Sequence, residues 1–122
     1  MARVLVIDDD EEQRALMRAM LTGVGHEVVE AADGAEGLDL VARHAPNLVL
    51  TDINMPGVDG HEVISSLKVA SPNTPIIAVS GGSEIAKDEL LLKAVHLGAV
   101  EVIMKPFAFE QLAGAVHRAL TP

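Results

Sequence analysis

The sequence contains no cysteine, tryptophan or tyrosine, and its only aromatic residues are Phe107 and Phe109. The absence of cysteine excludes disulfides, thiolate nucleophiles and zinc–thiolate sites, and it fits a reducing compartment such as the cytoplasm. Basic residues are also scarce, since nine Lys and Arg face eighteen Asp and Glu, giving a formal net charge of −9. A chain so acidic and so poor in base-stacking rings is not expected to bind nucleic acid directly.

Long hydrophobic runs are missing as well. The first apolar run, Val4–Ile7, ends at three consecutive aspartates, so it is too short for a signal-peptide core or a membrane span. No linker, repeat or low-complexity tract divides the 122 residues. We therefore expect a single cytoplasmic domain over residues 1–122, with an aliphatic core and no contact with a membrane.

Apolar runs and amphipathic segments alternate five times, with Gly, Pro, Asp or Asn at the joints. The apolar runs are Val4–Ile7, Val28–Val29, Leu48–Leu50, Ile76–Val79 and Val100–Met104. Because parallel strands need a crossover helix, this alternation predicts an α/β fold, with a five-stranded parallel sheet between two layers of helices. Glu101 interrupts the fifth run, which predicts a strand near one edge of the sheet.

Helical spacing predicts which side chains of the first helix are buried, with Arg14 and Arg18 elsewhere on its surface. The residues predicted to be buried are Ala15, Leu16, Ala19 and Met20. Asp10, Glu11 and Glu12 are interpreted as favourable charges at the N-terminus of this helix. The histidines lack the spacing of metal ligands, so we expect mainly surface positions for His26, His44, His61, His96 and His117.

Four of the five apolar runs end in polar residues, which are Asp8 and Asp9, Asp52, Ser80 and Lys105. Because the carboxyl ends of parallel strands lie at one edge of a sheet, these side chains are expected to meet there. Three carboxylates and one lysine leave excess negative charge that a divalent cation can balance, and oxygen ligands favour Mg²⁺. A cation, a carboxylate, an ammonium and a hydroxyl together suit phosphoryl transfer to an aspartate.

Each of these residues, taken alone, is weaker evidence for a phosphoryl-transfer site. Asp52 alone could equally begin the turn at Pro56-Gly57, because aspartate is a common turn residue. Lys105 alone would normally be a solvated surface lysine. Their places at strand ends favour the functional interpretation of both.

Four motifs follow one another at these strand ends: Val6-Ile7-Asp8-Asp9, Thr51-Asp52-Ile53-Asn54-Met55-Pro56-Gly57, Val79-Ser80-Gly81 and Met104-Lys105-Pro106-Phe107. In this order and at these intervals they resemble the receiver domain of two-component response regulators, chemotaxis regulators included. The resemblance covers essentially the whole chain. It implies a flavodoxin-like receiver fold, a three-layer sandwich with five helices and the strand order 2-1-3-4-5.

The resemblance also implies a role for each residue at the site. Asp52 would accept a phosphoryl group from a sensor histidine kinase or a histidine phosphotransfer protein, so the chain would be a switch or relay rather than a conventional enzyme. Asp9 and Asp52 would bind Mg²⁺ together with the backbone carbonyl of Asn54, and Asp8 would act through metal-bound water. Ser80 and Lys105 would bind phosphoryl oxygens, and the peptide bond before Pro106 would be cis.

The chain departs from the family at Val102, three residues before Lys105, where an aromatic ring often moves inward on activation. Valine has no ring to move, so we expect the loop from Ser80 to Ser83 and the helix after it to carry the signal instead. No output domain follows in the sequence. A stand-alone receiver would therefore signal by protein contact, through the face formed by the fourth helix, fifth strand and fifth helix.

Three other interpretations are weaker. A pseudo-receiver would be an interaction module that is never phosphorylated, and the complete set of site residues argues against it. A phosphatase with an aspartyl nucleophile needs a second carboxylate two residues later as general acid, where this chain has Asn54. A flavodoxin-like cofactor binder is disfavoured by aspartates where a flavin phosphate would need hydrogen-bond donors.

Overall fold

The computed structural model of the protein describes residues 2–53, 60–81 and 87–121. Within these residues, strands and helices alternate along the chain. Their bounds are β1 Arg3–Ile7, α1 Glu11–Gly23, β2 Glu27–Ala31, α2 Gly34–His44, β3 Leu48–Asp52, α3 Gly60–Ala70, β4 Ile76–Ser80, α4 Lys87–Leu97, β5 Glu101–Met104 and α5 Phe109–Leu120.

The strands form one parallel sheet in the order β2-β1-β3-β4-β5, which confirms the predicted topology and the edge position of β5. The register aligns the carboxyl ends of the central strands. Ile7 of β1 pairs with Thr51 of β3, and Asp52 pairs with Val79 of β4. Residues that directly follow these strands therefore lie at the same edge of the sheet.

The two faces of the sheet carry separate hydrophobic cores, as expected for a three-layer sandwich. One core packs α2, α3 and α4 against the sheet, and the other packs α1 and α5. Every residue of β3 and β4 is buried, because successive side chains of a central strand enter the two cores in turn.

The predicted buried face of α1 was wrong. Leu16 is 46% exposed, while Met17 and Leu21 are almost fully buried. The side chains predicted to be buried and those that are buried both recur at helical spacing, so periodicity alone does not separate the two sets. Packing decides between them, because Met17 and Leu21 lie in the core that α1 shares with α5 and the sheet. The helix begins after Asp10, its N-cap, which accepts hydrogen bonds from the amides of Glu12 at 3.0 Å and Gln13 at 3.4 Å.

Small residues allow α2 to approach the rest of the fold closely. Gly34, the first residue of α2, is buried, and a Cβ placed there would lie 2.6 Å from Cγ2 of Val63 on α3. Val63 is branched at Cβ and itself buried, so it has little freedom to move away.

We expect Gly34→Ala to lower the free energy of unfolding by about 1–3 kcal/mol, the range for overpacked cores. Gly23→Ala is the matched control, because a Cβ at Gly23 would meet nothing within 4 Å. Urea denaturation of both variants measures the difference. Equal midpoints would contradict the close packing of α2 on α3.

Among the helices of the described residues, none combines the length and apolar character needed to cross a bilayer.

Candidate functional site

The described strand ends carry the predicted polar residues to one edge of the sheet. Asp8 directly follows β1, Asp52 is the last residue of β3, and Ser80 is the last residue of β4. Lys105 directly follows β5, and its amide donates a 2.7 Å hydrogen bond to the carbonyl of Ser80. The ends of β4 and β5 are thereby tied together beside the acidic residues.

The Lys105 ammonium joins two buried carboxylates. Its Nζ lies 2.9 Å from Oδ2 of Asp8 and 2.9 Å from Oδ2 of Asp52. Asp8 is fully buried and Asp52 is 5% exposed. The lysine reaches them past Gly81, where a Cβ would lie only 3.1 Å from Cβ and Cδ of Lys105. A residue without a side chain at position 81 therefore leaves room for the path of the lysine.

Three carboxylates form a cluster with the chemistry of a hard-cation site. Carboxylate oxygens of Asp8, Asp9 and Asp52 lie within 4.8 Å of one another, and Asp9 is exposed while the other two are buried. Among the described residues, the Lys105 ammonium balances only part of the negative charge of this cluster. Oxygen donors in this number, open on one side to water and ligand, fit a Mg²⁺ ion.

The pKa values of the buried groups reflect this arrangement. Burial raises the pKa of the Asp8 carboxyl above its ordinary value, although hydrogen bonds from Lys105 and the Asp10 amide oppose the shift. Burial also acts to lower the pKa of Lys105, but its hydrogen bonds to Asp52 and Asp8 outweigh this and the pKa is raised. The ammonium therefore stays charged at neutral pH, whereas ionisation of Asp8 lowers the stability of the folded protein.

The position of Asp8 is fixed by contacts on every side. Its amide donates to the carbonyl of Ala31 at 3.1 Å, and its Oδ1 accepts from the amide of Asp10 at 2.9 Å. Its own carbonyl accepts a 2.7 Å hydrogen bond from Nη1 of Arg14. Sequence reasoning had assigned Arg14 to the surface of α1, yet its side chain is only 16% exposed. The available signal was Glu30, a charged residue between the apolar residues Val29 and Ala31 of β2.

The sequence matches the profile of the response regulator receiver domain over residues 4–117. The chain belongs to this family. It is 30% identical over 118 residues to sporulation initiation phosphotransferase F of Bacillus subtilis, a match that covers 97% of this chain and 93% of that protein. The receiver domain of NtrX from Brucella abortus superposes with a TM-score of 0.88 at 34% identity, covering 96% of this chain and 97% of that one.

Other relatives are longer than this receiver domain. A probable transcriptional regulator, ycf27 of Porphyridium aerugineum, is 35% identical over 118 residues, which cover 97% of this chain and 48% of that protein. The chain thus spans about half the length of that curated relative and nearly all of the Bacillus protein.

The structure describes some of the residues for which the family resemblance makes predictions, and not others. The peptide bond between Lys105 and Pro106 is cis, as predicted. Val102 is partly buried and packs against the core beneath α2, α3 and α4. Asn54, whose carbonyl was predicted as a metal ligand, and the loop residues 82 and 83 lie outside the described residues.

The surface position expected for His61 was wrong, because this residue at the start of α3 is only 7% exposed. The expectation came from its place near a helix end. Position along a helix does not fix which way a side chain faces, and the second residue of α3 faces the protein. His96 and His117 are exposed in the last turns of α4 and α5, as predicted.

An open pocket of about 320 Å³ lies beside the Lys105 ammonium. It is lined by Gln13, Leu16, Gly81, Lys105, Pro106 and Phe107. The pocket therefore lies between the start of α1 and the segment that joins β5 to α5, and it reaches the site only at Lys105 and Gly81.

Proposed function

We propose that this receiver domain is a phosphorylation switch or relay in which Asp52 is the acceptor. The donor is the phosphohistidine of a sensor histidine kinase or a histidine phosphotransfer protein. In the transfer, the phosphorus–nitrogen bond of the donor breaks, a phosphorus–oxygen bond to the Asp52 carboxylate forms, and the imidazole leaves as a neutral base after taking up a proton. The observation that carries the proposal is the Lys105 ammonium, 2.9 Å from both Asp52 and Asp8.

Each of the other residues around Asp52 has its own role in the phosphoryl transfer. Lys105 already contacts the acceptor carboxylate, so its ammonium can neutralise an oxygen of the arriving phosphoryl group at little cost in reorganisation. The Ser80 hydroxyl, at the end of the neighbouring strand, hydrogen-bonds a second oxygen. Asp8, Asp9 and Asp52, with the carbonyl of Asn54, hold Mg²⁺. When bound, this ion neutralises charge on the phosphoryl oxygens.

The signal leaves the domain by protein contact in this proposal. Support comes from exposed apolar side chains along the face built by α4, β5 and α5, where Leu92 is 73% exposed and Val95 and Val100 are more than half exposed. We propose that this contact takes place in the cytoplasm. The lack of cysteine in the chain fits that compartment.

Intact-mass spectrometry tests the acceptor. We expect wild-type protein treated with a small acyl phosphate and Mg²⁺ to gain the mass of one phosphoryl group, and Asp52→Asn to gain none. The control is Asp39→Asn, which removes an exposed carboxylate that pairs with Arg43 on α2, far along the chain from the site. A gain retained by Asp52→Asn would place the acceptor elsewhere. No gain in any protein would favour the pseudo-receiver interpretation.

A further inference from the structure

Arg14 of α1 links the acidic cluster to β2, the edge strand beside β1. Its guanidinium donates from Nη1 to the carbonyl of Asp8 at 2.7 Å and from Nε to Oε1 of Glu30 at 3.1 Å. The side chain is only 16% exposed, so these contacts are poorly accessible to competing water. Hydrogen bonds from a charged donor in such a setting are among the stronger ones in proteins.

Glu30 is a rigid anchor for this guanidinium. It lies within β2, where it pairs with Val6 of β1. Its second oxygen, Oε2, accepts a 2.6 Å hydrogen bond from Nη1 of Arg18, one turn further along α1. Arg14 and Arg18 therefore share one carboxylate, but the hydrogen bond to the Asp8 carbonyl comes from Arg14.

We propose that Arg14 is a positioning residue for the acidic cluster, which acts by fixing the peptide unit between Asp8 and Asp9. This inference rests on the proposed function, since the cluster is the proposed Mg²⁺ site. The carbonyl that Arg14 holds belongs to the same planar peptide as the amide of Asp9. Holding that plane restrains the amide and the Cα of Asp9, from which its side chain extends to the cluster.

Asp9 needs this restraint because it lacks the burial that restrains the other two carboxylates of the cluster. Asp8 and Asp52 are buried and in contact with Lys105, whereas Asp9 is exposed. The amide of Asp8 already donates to the carbonyl of Ala31. The hydrogen bond from Arg14 restrains the carbonyl of Asp8 as well. Outer contacts that orient metal-binding groups commonly change metal affinity by tenfold or more when they are removed.

Arginine suits this role better than lysine. Its planar guanidinium donates to Glu30 and to the Asp8 carbonyl from two different nitrogens at once. A lysine ammonium is a single point donor on a flexible stem, so it cannot reproduce that fixed geometry.

The test compares Arg14→Gln with Arg18→Gln. Each variant removes one ion pair with Glu30, and Arg14→Gln also removes the hydrogen bond to Asp8. A ¹⁵N NMR titration with Mg²⁺ gives the affinity of each protein. Amide hydrogen exchange of Asp10 without metal gives an independent readout, because this amide donates to Oδ1 of Asp8.

We expect Arg14→Gln to bind Mg²⁺ about tenfold more weakly and to exchange the Asp10 amide faster, while Arg18→Gln stays close to wild type in both. Arg14→Lys, which keeps the charge, serves if Arg14→Gln does not fold, and it should also exchange faster. Equal affinity and equal Asp10 exchange in the Arg14 and Arg18 variants would overturn the inference. If wild-type protein binds no Mg²⁺, the proposed function fails, and Asp10 exchange alone still decides the role of Arg14.

Discussion

Lys105→Met is expected to lower the free energy of unfolding by about 3 kcal/mol at neutral pH without Mg²⁺, as when one partner of a buried ion pair is removed. The ammonium is the shared partner of Asp8 and Asp52, both of which are buried. Removing it leaves two neighbouring carboxylates without the positive charge that they contact. Methionine keeps most of the aliphatic stem, so the loss reports on charge more than on packing.

The same variant should be phosphorylated about a hundredfold more slowly, the usual effect of removing one donor aimed at a developing charge. Urea denaturation with and without Mg²⁺, together with the rate of mass gain from an acyl phosphate, measures both effects. Lys93→Met is the control, because Lys93 is exposed on α4. Unfolding and phosphorylation like those of wild type would contradict the contacts assigned to Lys105.

Asp8→Asn is expected to change stability in opposite directions with and without Mg²⁺. Burial raises the pKa of Asp8 in the folded state, so the fold disfavours the ionised form. Without metal, the neutral variant should unfold at a higher temperature than wild type at pH 7. With Mg²⁺, the variant should unfold at a lower temperature than wild type, because its affinity for Mg²⁺ should fall by more than about tenfold and the ion then stabilises it little.

The pH dependence of this difference has a definite sign. A carboxyl with a raised folded-state pKa binds more protons in the folded than in the unfolded protein, so its contribution to stability falls as pH rises through the folded-state pKa. The advantage of Asp8→Asn in EDTA should therefore shrink as pH is lowered from 7. Thermal denaturation over this pH range measures it, with Asp39→Asn as the exposed control. A variant less stable than wild type at pH 7 in EDTA would show that Asp8 contributes mainly through its ion pair.

The sequence was sufficient for the sheet because its signals are local and repeated. Short β-branched runs, helical crossovers and joints of Gly, Pro or Asp specify the same parallel arrangement at every step. The meeting of Asp8, Asp52 and Lys105 then follows from one geometric fact, that each lies at the carboxyl end of its strand.

The sequence was insufficient where the answer depends on the rotation of a helix. On α1, the rows that contain Leu16 and Met17 lie about 100° apart, and both are apolar at helical spacing. The choice between them is made by packing against α5 and the sheet, which a periodic pattern does not encode. The same rotation turns Arg14 toward Asp8 and away from solvent.

The identity of residues in the site was easier to predict than what holds them in place. A carboxylate at a strand end can be recognised in a sequence. The hydrogen bond from Arg14 cannot, because it is accepted by a backbone carbonyl, which every residue carries. Glu30 was the one indirect sign, since a charge within a half-buried strand needs a partner.

Chemical trapping of the acyl phosphate is the most direct test of the central claim, that Asp52 is the acceptor. Borohydride reduces an aspartyl phosphate to homoserine, with release of phosphate, and leaves free carboxylates unchanged. After treatment with an acyl phosphate and Mg²⁺, peptide mass mapping should find homoserine at position 52 and aspartate at positions 8 and 9. Homoserine at position 8 or 9, or at none of the three, would contradict the account.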